Sequence, residues 1–481
     1  MSAPDTAPPT ASDTPPHSPP PAPDTAPLAG GTHGPHALRP LLDTALDALT
    51  QGATARAGPL PAGGPDLVTA RLRAAVGPVL PETGTGEHDA LHTLVRALAE
   101  GSADPADPHC AAHLHCPPLA VATAADLAAS ALNPSLDSWD QAPAASALET
   151  LTTQALAALA YPTRPAPDAL VTTGGTESNQ LALLLAREAA PWPLQIICGA
   201  NAHHSIHRAA WLLGLPQPHT LPTPTGVIDP TDLKTALTAL RNIPTLVVAT
   251  AGTTDTGQID PLTDIADLCT THHTPLHIDA SYGGPLLFSD TLRPALDGLD
   301  RAHTIALDLH KLGWQPIAAG LLAVPRTTDL HPLAARADYL NATDDTEAGL
   351  PDLLGRSLRT TRRADILKIA VTLRALGRRG IATLVEQVCA TAHRLADLIE
   401  AHPRFDLYAR PTVSTVLFRP TRTDDHTTAH IRRQLLHTGH AALGRATTPD
   451  GLWLKATLLN PHTTTEDLRT LLTLVEGHTT P

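Results

Sequence analysis

Short apolar runs recur along the middle of the chain, separated by stretches in which apolar residues follow helical spacing. Such runs predict buried strands, and their alternation with helices predicts an α/β protein with a mostly parallel sheet. Ligands of open α/β sheets bind at the carboxyl ends of the strands, so polar residues that follow these runs indicate a candidate site. The predicted strands are residues 169–172, 196–198, 246–250, 276–278 and 305–307.

The pattern is different at the two ends of the chain. Residues 1–36 are rich in Pro, Ala, Thr, Ser and Asp, and we expect a disordered tail because they offer little to bury. Residues 37–150 have Leu-rich helical spacing and are predicted to form a helical N-terminal segment. Residues 151–385 form the predicted large domain, and residues 386–481 a small α+β domain. The predicted strands of the small domain are residues 412–418 and 452–458.

Composition narrows the classes of partner. The chain has 481 residues and a net charge of −14, so nucleic acid, which favours clustered Lys and Arg, is not an expected partner. No apolar run reaches the length of a membrane span, and the N-terminus lacks the layout of a signal peptide. The five cysteines are odd in number and scattered, which favours a reducing cytoplasm over a disulfide framework.

Two charged residues follow neighbouring predicted strands. Lys311 comes after the run at 305–307 in a chain with few lysines, and Asp279 ends the preceding strand. A desolvated lysine can form a Schiff base, and an aspartate opposite it can keep the ring nitrogen of pyridoxal phosphate protonated. Taken alone, Lys311 is also consistent with a surface lysine, and Asp279 with a turn or cap residue.

Three further segments place polar groups at the same predicted edge. Gly174, Gly175 and Thr176 precede a helix, which is typical of a phosphate site, although a capped glycine turn fits equally well. His203 follows the next strand, where it could lie flat on an aromatic cofactor or be an ordinary loop histidine. Thr253 follows a further strand, and its hydroxyl can bond to a ligand.

One loop is rich in histidine and cysteine. Its spacing matches no zinc-binding pattern, so no metal site is expected there. The residues concerned are His109, Cys110, His113, His115 and Cys116.

Together the polar segments resemble the group II pyridoxal-phosphate-dependent decarboxylases, enzymes of fold type I that include glutamate and aromatic amino acid decarboxylases. The resemblance implies a seven-stranded, mostly parallel sheet and a pyridoxal phosphate cofactor. It further implies that Lys311 binds the cofactor covalently and that Asp279 contacts its ring nitrogen. The segments that carry the resemblance are residues 173–179, 203–206, 251–254, 277–282 and 308–311.

The same resemblance implies roles for the other polar residues of these segments. Gly175, Thr176 and His310 would bind the phosphate, His203 would stack on the ring, and Thr253 would lie beside the cofactor. Two positions depart from the family pattern. They are Leu309, where relatives commonly have proline, and Ser281, where alanine is usual.

A finer resemblance indicates a bacterial branch, the 2,4-diaminobutyrate and siderophore-type lysine decarboxylases. It implies that Tyr339, in a lid-like segment, returns a proton to Cα after CO₂ leaves, although a half-buried structural tyrosine fits the sequence too. It also implies a homodimer in which the N-terminal helical segment covers the partner. The matching segments are residues 113–118, 137–143 and 357–368.

The predicted function is decarboxylation of a diamino acid, with 2,4-diaminobutyrate first and lysine or ornithine next. A buried distal ammonium needs a carboxylate partner, and Asp140 is the candidate, with a helix cap as the alternative. Lys455 lies where the glutamate branch has a carboxylate-binding arginine, or else faces solvent. Three alternatives stay open: glutamate as substrate, another fold-type-I reaction such as amino transfer or aldehyde formation, and a catalytically silent relative.

Overall fold

The computed structural model describes residues 26–190, 193–334 and 337–478. Residues 1–25 of the predicted tail lie outside the described residues. The first helix begins at Gly34, two residues before the predicted end of the tail. Among the described residues, no helix is both long enough and apolar enough to cross a membrane.

Helices occur throughout the described chain, and their N-termini are capped in different ways. Helix α14 begins with a capping box, in which Thr464 and Asp467 bond to each other's backbone N–H groups. Helix α6 has no side-chain cap at Gly174, so its first N–H groups stay available. The helices are α1 (Gly34–Arg56), α2 (Gly64–Val76), α3 (Glu87–Gly101), α4 (Ala120–Leu132), α5 (Pro143–Ala160), α6 (Gly175–Ala189), α7 (Ser205–Leu212), α8 (Pro230–Ala239), α9 (Leu262–Thr271), α10 (Asp338–Asn341), α11 (Thr343–Glu347), α12 (Ile366–Glu400), α13 (Asp425–Thr438) and α14 (Thr465–Glu476).

The strands form two sheets. Each of the seven predicted strands matches an observed strand within a few residues, because continuous apolar runs are typical of buried strands. Strands β1, β4, β8, β9 and β11 were not predicted. The strands are β1 (Cys110–Ala111), β2 (Asp168–Thr172), β3 (Gln195–Gly199), β4 (His219–Leu221), β5 (Thr245–Thr250), β6 (Leu276–Ala280), β7 (Thr304–Asp308), β8 (Gly320–Val324), β9 (Phe405–Leu407), β10 (Thr415–Pro420), β11 (Ala442–Thr448) and β12 (Gly451–Thr457).

The larger sheet has seven strands in the order β2-β8-β7-β6-β5-β3-β4. Strand β8 runs antiparallel to both of its neighbours, and the other pairs are parallel. Strands β2, β5, β6 and β7 are buried along their whole length. The predicted α/β fold with a mostly parallel seven-stranded sheet is therefore confirmed.

The smaller sheet joins the two ends of the chain. Its order is β1-β11-β12-β10-β9, and Cys110 pairs with Ala442. The predicted helical N-terminal segment thus contributes one short strand to the C-terminal sheet. This pairing places the loop after β1 between the two sheets, where Leu114 lines a cavity and Cys116 Sγ donates to the carbonyl of His310.

Two helices run across the predicted domain boundaries. Helix α5 spans residue 150 and buries Leu156 and Ala160 in the main core. Helix α12 spans residue 385, with Gly377 in a non-helical conformation inside it. Helices α1, α2 and α3 instead pack mainly on one another, and no residue of α2 or α3 is buried.

Candidate active site

A cavity of about 290 Å³ opens at the carboxyl ends of β2, β3, β5, β6 and β7. This is the edge at which the sequence predicts a ligand. A larger cavity of about 860 Å³ lies at the opposite edge, beside the first residues of β5 and β7. Its described lining includes His and Arg side chains but no lysine. The smaller cavity is lined by Leu114, Thr173, Gly174, Gly175, Thr176, His203, Thr250, Gly252, Thr254, Asp279, Ser281, Tyr282, Asp308, His310 and Lys311.

The cavity contains one of the four lysines of the chain. Lys311 lines the wall, and its Nζ atom lies 2.8 Å from Oδ2 of Asp308, the last residue of β7. Lys234 is exposed on α8, and Lys368 is fully buried between two aspartates. Lys455 lies in β12, outside the wall. Lys311 is therefore the lysine that the fold presents to a ligand in this cavity.

The turn that carries Lys311 is fixed by its neighbours. Trp314 is 1% exposed, and its indole N–H donates to the carbonyl of Leu459 at 2.8 Å. The backbone N–H of Gln315 donates to the carbonyl of Leu309, which closes the turn around the lysine. These bonds hold the turn against the C-terminal part of the chain.

Asp279, at the end of β6, accepts hydrogen bonds on both oxygens. Oδ1 accepts from the Ser281 hydroxyl at 2.6 Å, and Oδ2 accepts from Asn179 Nδ2 at 2.8 Å. Burial by itself raises the pKa of Asp279, but these donors and the charge of Lys311 outweigh burial and lower the pKa below its ordinary value. The carboxylate is therefore ionised although it is buried. Ser281, one of the two departures from the family pattern, is thus one of its donors.

Two glycines form a close approach at the N-terminus of α6. A Cβ on Gly174, whose φ is +153°, would lie 2.9 Å from Cε1 of His310, and one on Gly175 would lie 2.2 Å from Ser281 Oγ. Only glycine fits at these positions without a shift of the neighbouring side chains. The free N–H groups and the dipole of the helix favour an anion here, next to Thr176 in the wall.

Two histidines line the cavity. Nδ1 of His203 lies 2.7 Å from the Ser205 hydroxyl, and Nε2 of His310 lies 3.5 Å from Asp308 Oδ2. Burial lowers the pKa of both rings, and nearby carboxylates offset this only in part. Both rings are accordingly neutral near pH 7.

The residues of this cavity fit pyridoxal phosphate. That cofactor needs an amine, a carboxylate for its ring nitrogen and a site for its phosphate, and Lys311, Asp279 and the N-terminus of α6 supply all three. Two buried polar atoms of the wall, Asp308 Oδ1 and His310 Nδ1, have no hydrogen-bond partner among the described residues. These atoms are available to a ligand.

Thr253 and Lys455 lie next to the cavity but are not part of its wall. Thr253 is 1% exposed, and its hydroxyl bonds to that of Thr256, so Thr254 forms the wall where the sequence predicts Thr253. Lys455 Nζ donates to the carbonyl of Thr254 and to Asp255 Oδ1, both at 3.1 Å. Lys455 does not face solvent, since it is only 8% exposed.

Two predicted residues lie on the surface instead. Tyr339 belongs to the four-residue helix α10 and is 83% exposed, so it is not the half-buried tyrosine that one interpretation expected. Asp140 is exposed and accepts from the Ser138 hydroxyl at 2.6 Å. It does not cap α5, whose N-cap is Ala142 with no side-chain bond. Neither residue lines the cavity of its own chain.

Several site residues were not predicted from the sequence. Asn179 and His277 lie in the recognised motif strings, but nothing in the local pattern indicates that their side chains meet across 98 residues. Asp308, also in a motif string, forms the ion pair with Lys311. In the loop where no metal was expected, and elsewhere among the described residues, no group of three His, Cys, Asp or Glu side chains is arranged to hold a metal ion.

Known proteins resemble this chain over most of its length. A family model for the pyridoxal-dependent decarboxylase conserved domain matches residues 72–421. The L-2,4-diaminobutyrate decarboxylase of Rhizobium meliloti (strain 1021) is 40% identical over 416 residues, which is 82% of each chain. The L-2,4-diaminobutyrate decarboxylase of Acinetobacter baumannii is 31% identical over 441 residues, which is 84% of this chain and 86% of the relative.

A solved structure shares the fold. It is the glutamate decarboxylase domain of diaminobutyrate-pyruvate transaminase and L-2,4-diaminobutyrate decarboxylase from Vibrio parahaemolyticus, with a TM-score of 0.83 and 29% identity. The match covers 94% of this chain and 97% of that chain. The predicted cofactor and the predicted resemblance are both confirmed. The chain belongs to the pyridoxal-dependent decarboxylase family and is a pyridoxal-phosphate-dependent amino acid decarboxylase.

Proposed function

We propose that this enzyme decarboxylates L-2,4-diaminobutyrate, releasing CO₂ and 1,3-diaminopropane. The observation that carries the proposal is the similarity to two L-2,4-diaminobutyrate decarboxylases. Each match covers more than four-fifths of both chains. The cavity that contains Lys311 and Asp279 supplies the chemistry that this reaction needs.

The residues of the cavity would have different roles toward the cofactor. Pyridoxal phosphate, when bound, accepts the electron pair left on Cα as the carboxylate departs. Lys311 binds the cofactor through its amine, which Asp308 holds in place, and Asp279 keeps a negative charge at the ring nitrogen. The N-terminus of α6, with Gly175 and Thr176, binds the phosphate.

Three further residues are proposed to complete the cofactor site. His203 would pack on the ring, and His310, whose ring lies next to Gly174, would contact the phosphate. Thr253 would support the cofactor indirectly, since its hydroxyl bonds to Thr256 and the neighbouring Thr254 lines the cavity.

Tyr339 is the proposed acid that returns a proton to Cα. It lies between residues 337 and 352, a stretch of two short helices with no buried residue, as expected of a lid. Movement of this stretch over the active-site cavity, of its own chain or of a second subunit, would bring the phenol to the substrate and exclude water. The same movement would protect the reacting carbon from unwanted protonation.

Two charged residues are proposed to select the substrate. Lys455, beside the cavity wall, can attract a substrate carboxylate, although its present partner is Asp255. Asp140 is the proposed partner of the distal ammonium. Because Asp140 is exposed and outside the cavity of its own chain, this contact requires movement of its segment or the cavity of a second subunit.

A homodimer is the proposed assembly. The N-terminal helices and the connection between α2 and α3 expose apolar side chains that a partner could cover. Leu46, Val79, Leu80 and Leu98 are 61%, 86%, 93% and 63% exposed. Sedimentation of the purified chain at several concentrations should show a dimer, and a fully active monomer would refute it.

The cytoplasm is the proposed location. All five cysteines are free, and four of them are buried. Unpaired cysteines in these numbers are typical of proteins in a reducing compartment. Fractionation of cells that produce the protein should recover it with cytoplasmic markers.

A substrate panel tests the proposed function. The purified enzyme with added pyridoxal phosphate is given L-2,4-diaminobutyrate, ornithine, lysine and glutamate, and both CO₂ and product amine are measured. The highest kcat/KM is expected for 2,4-diaminobutyrate. Faster turnover of glutamate, or amino transfer without CO₂, would refute the proposed substrate or reaction.

A further inference from the structure

Behind the cavity wall, the side chain of Asn179 joins three other side chains. Its Nδ2 group donates to Asp279 Oδ2 and to Ser205 Oγ, each at 2.8 Å. Its Oδ1 atom lies 2.9 Å from Nε2 of His277. Asn179, Ser205 and His277 are fully buried, so no water competes for these bonds.

The charge on Asp279 determines where the protons of this cluster lie. A carboxylate only accepts, so the amide of Asn179 must present Nδ2 to it and Oδ1 to His277. Nε2 of His277 must then donate, and Nδ1 accepts from the hydroxyl of Thr304 at 2.8 Å. Burial lowers the pKa of His277 to about 4, so the neutral ring has a single proton to place.

The same amide reaches His203 through Ser205. Because Nδ2 of Asn179 donates to Ser205 Oγ, the hydrogen of that hydroxyl is left for Nδ1 of His203 at 2.7 Å. The backbone N–H of Ser205 also donates to Nδ1, at 3.3 Å. Nδ1 therefore accepts, and the neutral ring of His203 carries its proton on Nε2.

We propose that Asn179 is a positioning residue that fixes the charge of Asp279 and the tautomer of His203 together. The Thr304–His277 pair in turn fixes the orientation of the Asn179 amide. This inference rests on the proposed roles of Asp279 and His203. It extends those roles, because both Asp279 and His203 would depend on one buried amide. Loss of that amide would remove a hydrogen-bond donor from a buried carboxylate.

The charge of Asp279 can be measured through the cofactor itself. Apo protein of the full chain is titrated with pyridoxal phosphate and with its 1-deaza analogue, in which C–H replaces the ring nitrogen. An ionised Asp279 favours a protonated ring nitrogen, so the wild type should bind the cofactor more tightly than the analogue. The ratio of the two dissociation constants reports this preference, and a general loss of folding lowers both affinities alike.

Asn179→Ala is the direct variant. We expect the preference for pyridoxal phosphate over the analogue to fall by about tenfold to a hundredfold, as for loss of a hydrogen bond to a charged group. The matched control is Asn460→Ala, which removes another buried amide, one that donates to the carbonyl of Ala106. Asn460→Ala should lower the Tm and leave the preference unchanged.

Two milder variants keep the test informative if Asn179→Ala fails to fold. Thr304→Val removes the hydroxyl that donates to His277, whereas Thr304→Ser retains it. Without that donor, His277 can move its proton to Nδ1, donate to the carbonyl of Thr304 and leave Nε2 as an acceptor. His277 would then no longer hold the Asn179 amide with Nδ2 toward Asp279. Thr304→Val should therefore lose part of the preference, and Thr304→Ser should keep it.

The outcomes separate the inference from the proposed function. A wild type with no preference for pyridoxal phosphate over the analogue would overturn the role of Asp279 itself. A wild type with the preference, together with Asn179→Ala and Thr304→Val proteins that retain it, would overturn only the role of Asn179. Loss of the preference in both variants, with Thr304→Ser and Asn460→Ala unaffected, would support the inference.

Discussion

The strand ends that hold Asp279 and Lys311 and the segment that holds Tyr339 are built in opposite ways. Strands β6 and β7 are fully buried, and both oxygens of Asp279 are hydrogen-bonded. Residues 337–352 include helices of four and five residues and no buried side chain. The cofactor side of the reaction is thus held by the core, and the proposed proton donor is not.

This difference gives the two regions different sensitivities. A substitution at the strand ends disturbs a buried polar cluster, so it affects cofactor binding and stability together. A substitution in the exposed segment costs little stability, since surface changes are usually within about 0.5 kcal/mol. Loss of activity without loss of stability is therefore the signature expected of substitutions in the exposed segment.

The largest effect is expected at the strand ends. Lys311→Ala should lower CO₂ release by about 10⁴-fold or more, because no other lysine lines the described cavity wall. Lys234→Ala, at an exposed position on α8, is the matched control and should leave the rate unchanged. Substantial activity in the Lys311 variant would remove the distinction between the two regions at once.

The next largest effect is expected in the exposed segment. Tyr339→Phe should lower amine formation by about 10²-fold to 10⁴-fold, as for loss of a general acid, and divert turnover toward slow formation of aldehyde. Pyridoxal phosphate affinity and Tm should stay at wild-type values because Tyr339 is 83% exposed. If amine production is unchanged, Tyr339 is a structural residue of the surface.

A smaller effect concerns the substrate. Asp140→Asn should lower kcat/KM for 2,4-diaminobutyrate by about tenfold, the effect of one charge-assisted hydrogen bond, and affect a neutral amino acid far less. Stability should barely change, since Asp140 bonds to Ser138 alone among the described residues and does not cap α5. An equal loss for all substrates would exclude a contact with the distal ammonium.

The smallest effect is on stability, and it concerns the buried cluster that contains His277 and Asn179. The unfolded chain protonates His277 below its ordinary pKa of 6.5, whereas the folded protein resists protonation until about pH 4. The free energy of unfolding should therefore fall as pH drops through this window, by about 1.4 kcal/mol per pH unit for this group. His277→Gln should have a correspondingly flatter profile in urea unfolding between pH 7 and pH 5. An unchanged slope would mean that the pKa of His277 is the same in the folded and the unfolded chain.

The sequence predicted the strand-end residues because their signal is local. Each short apolar run ends in a glycine, histidine, aspartate or lysine, and parallel strands bring such ends to one edge. Lys311, Asp279, Gly175, Thr176 and His203 accordingly meet in one cavity.

The remaining features depend on contacts that local patterns do not contain. Thr254 rather than Thr253 lines the cavity, and the Thr253 hydroxyl bonds to Thr256 instead. Strand β1 pairs with β11 although the two lie at opposite ends of the chain. The exposure of Tyr339 follows from a segment that the core does not hold, and no periodicity in the sequence indicates its position.

Chemical trapping tests the central claim most directly. Borohydride treatment of the purified protein with bound pyridoxal phosphate should abolish its visible absorption and fix the cofactor to the chain. Peptide mapping by mass spectrometry is predicted to find the label on Lys311. Label on Lys234, Lys368 or Lys455, or no label at all, would contradict the account.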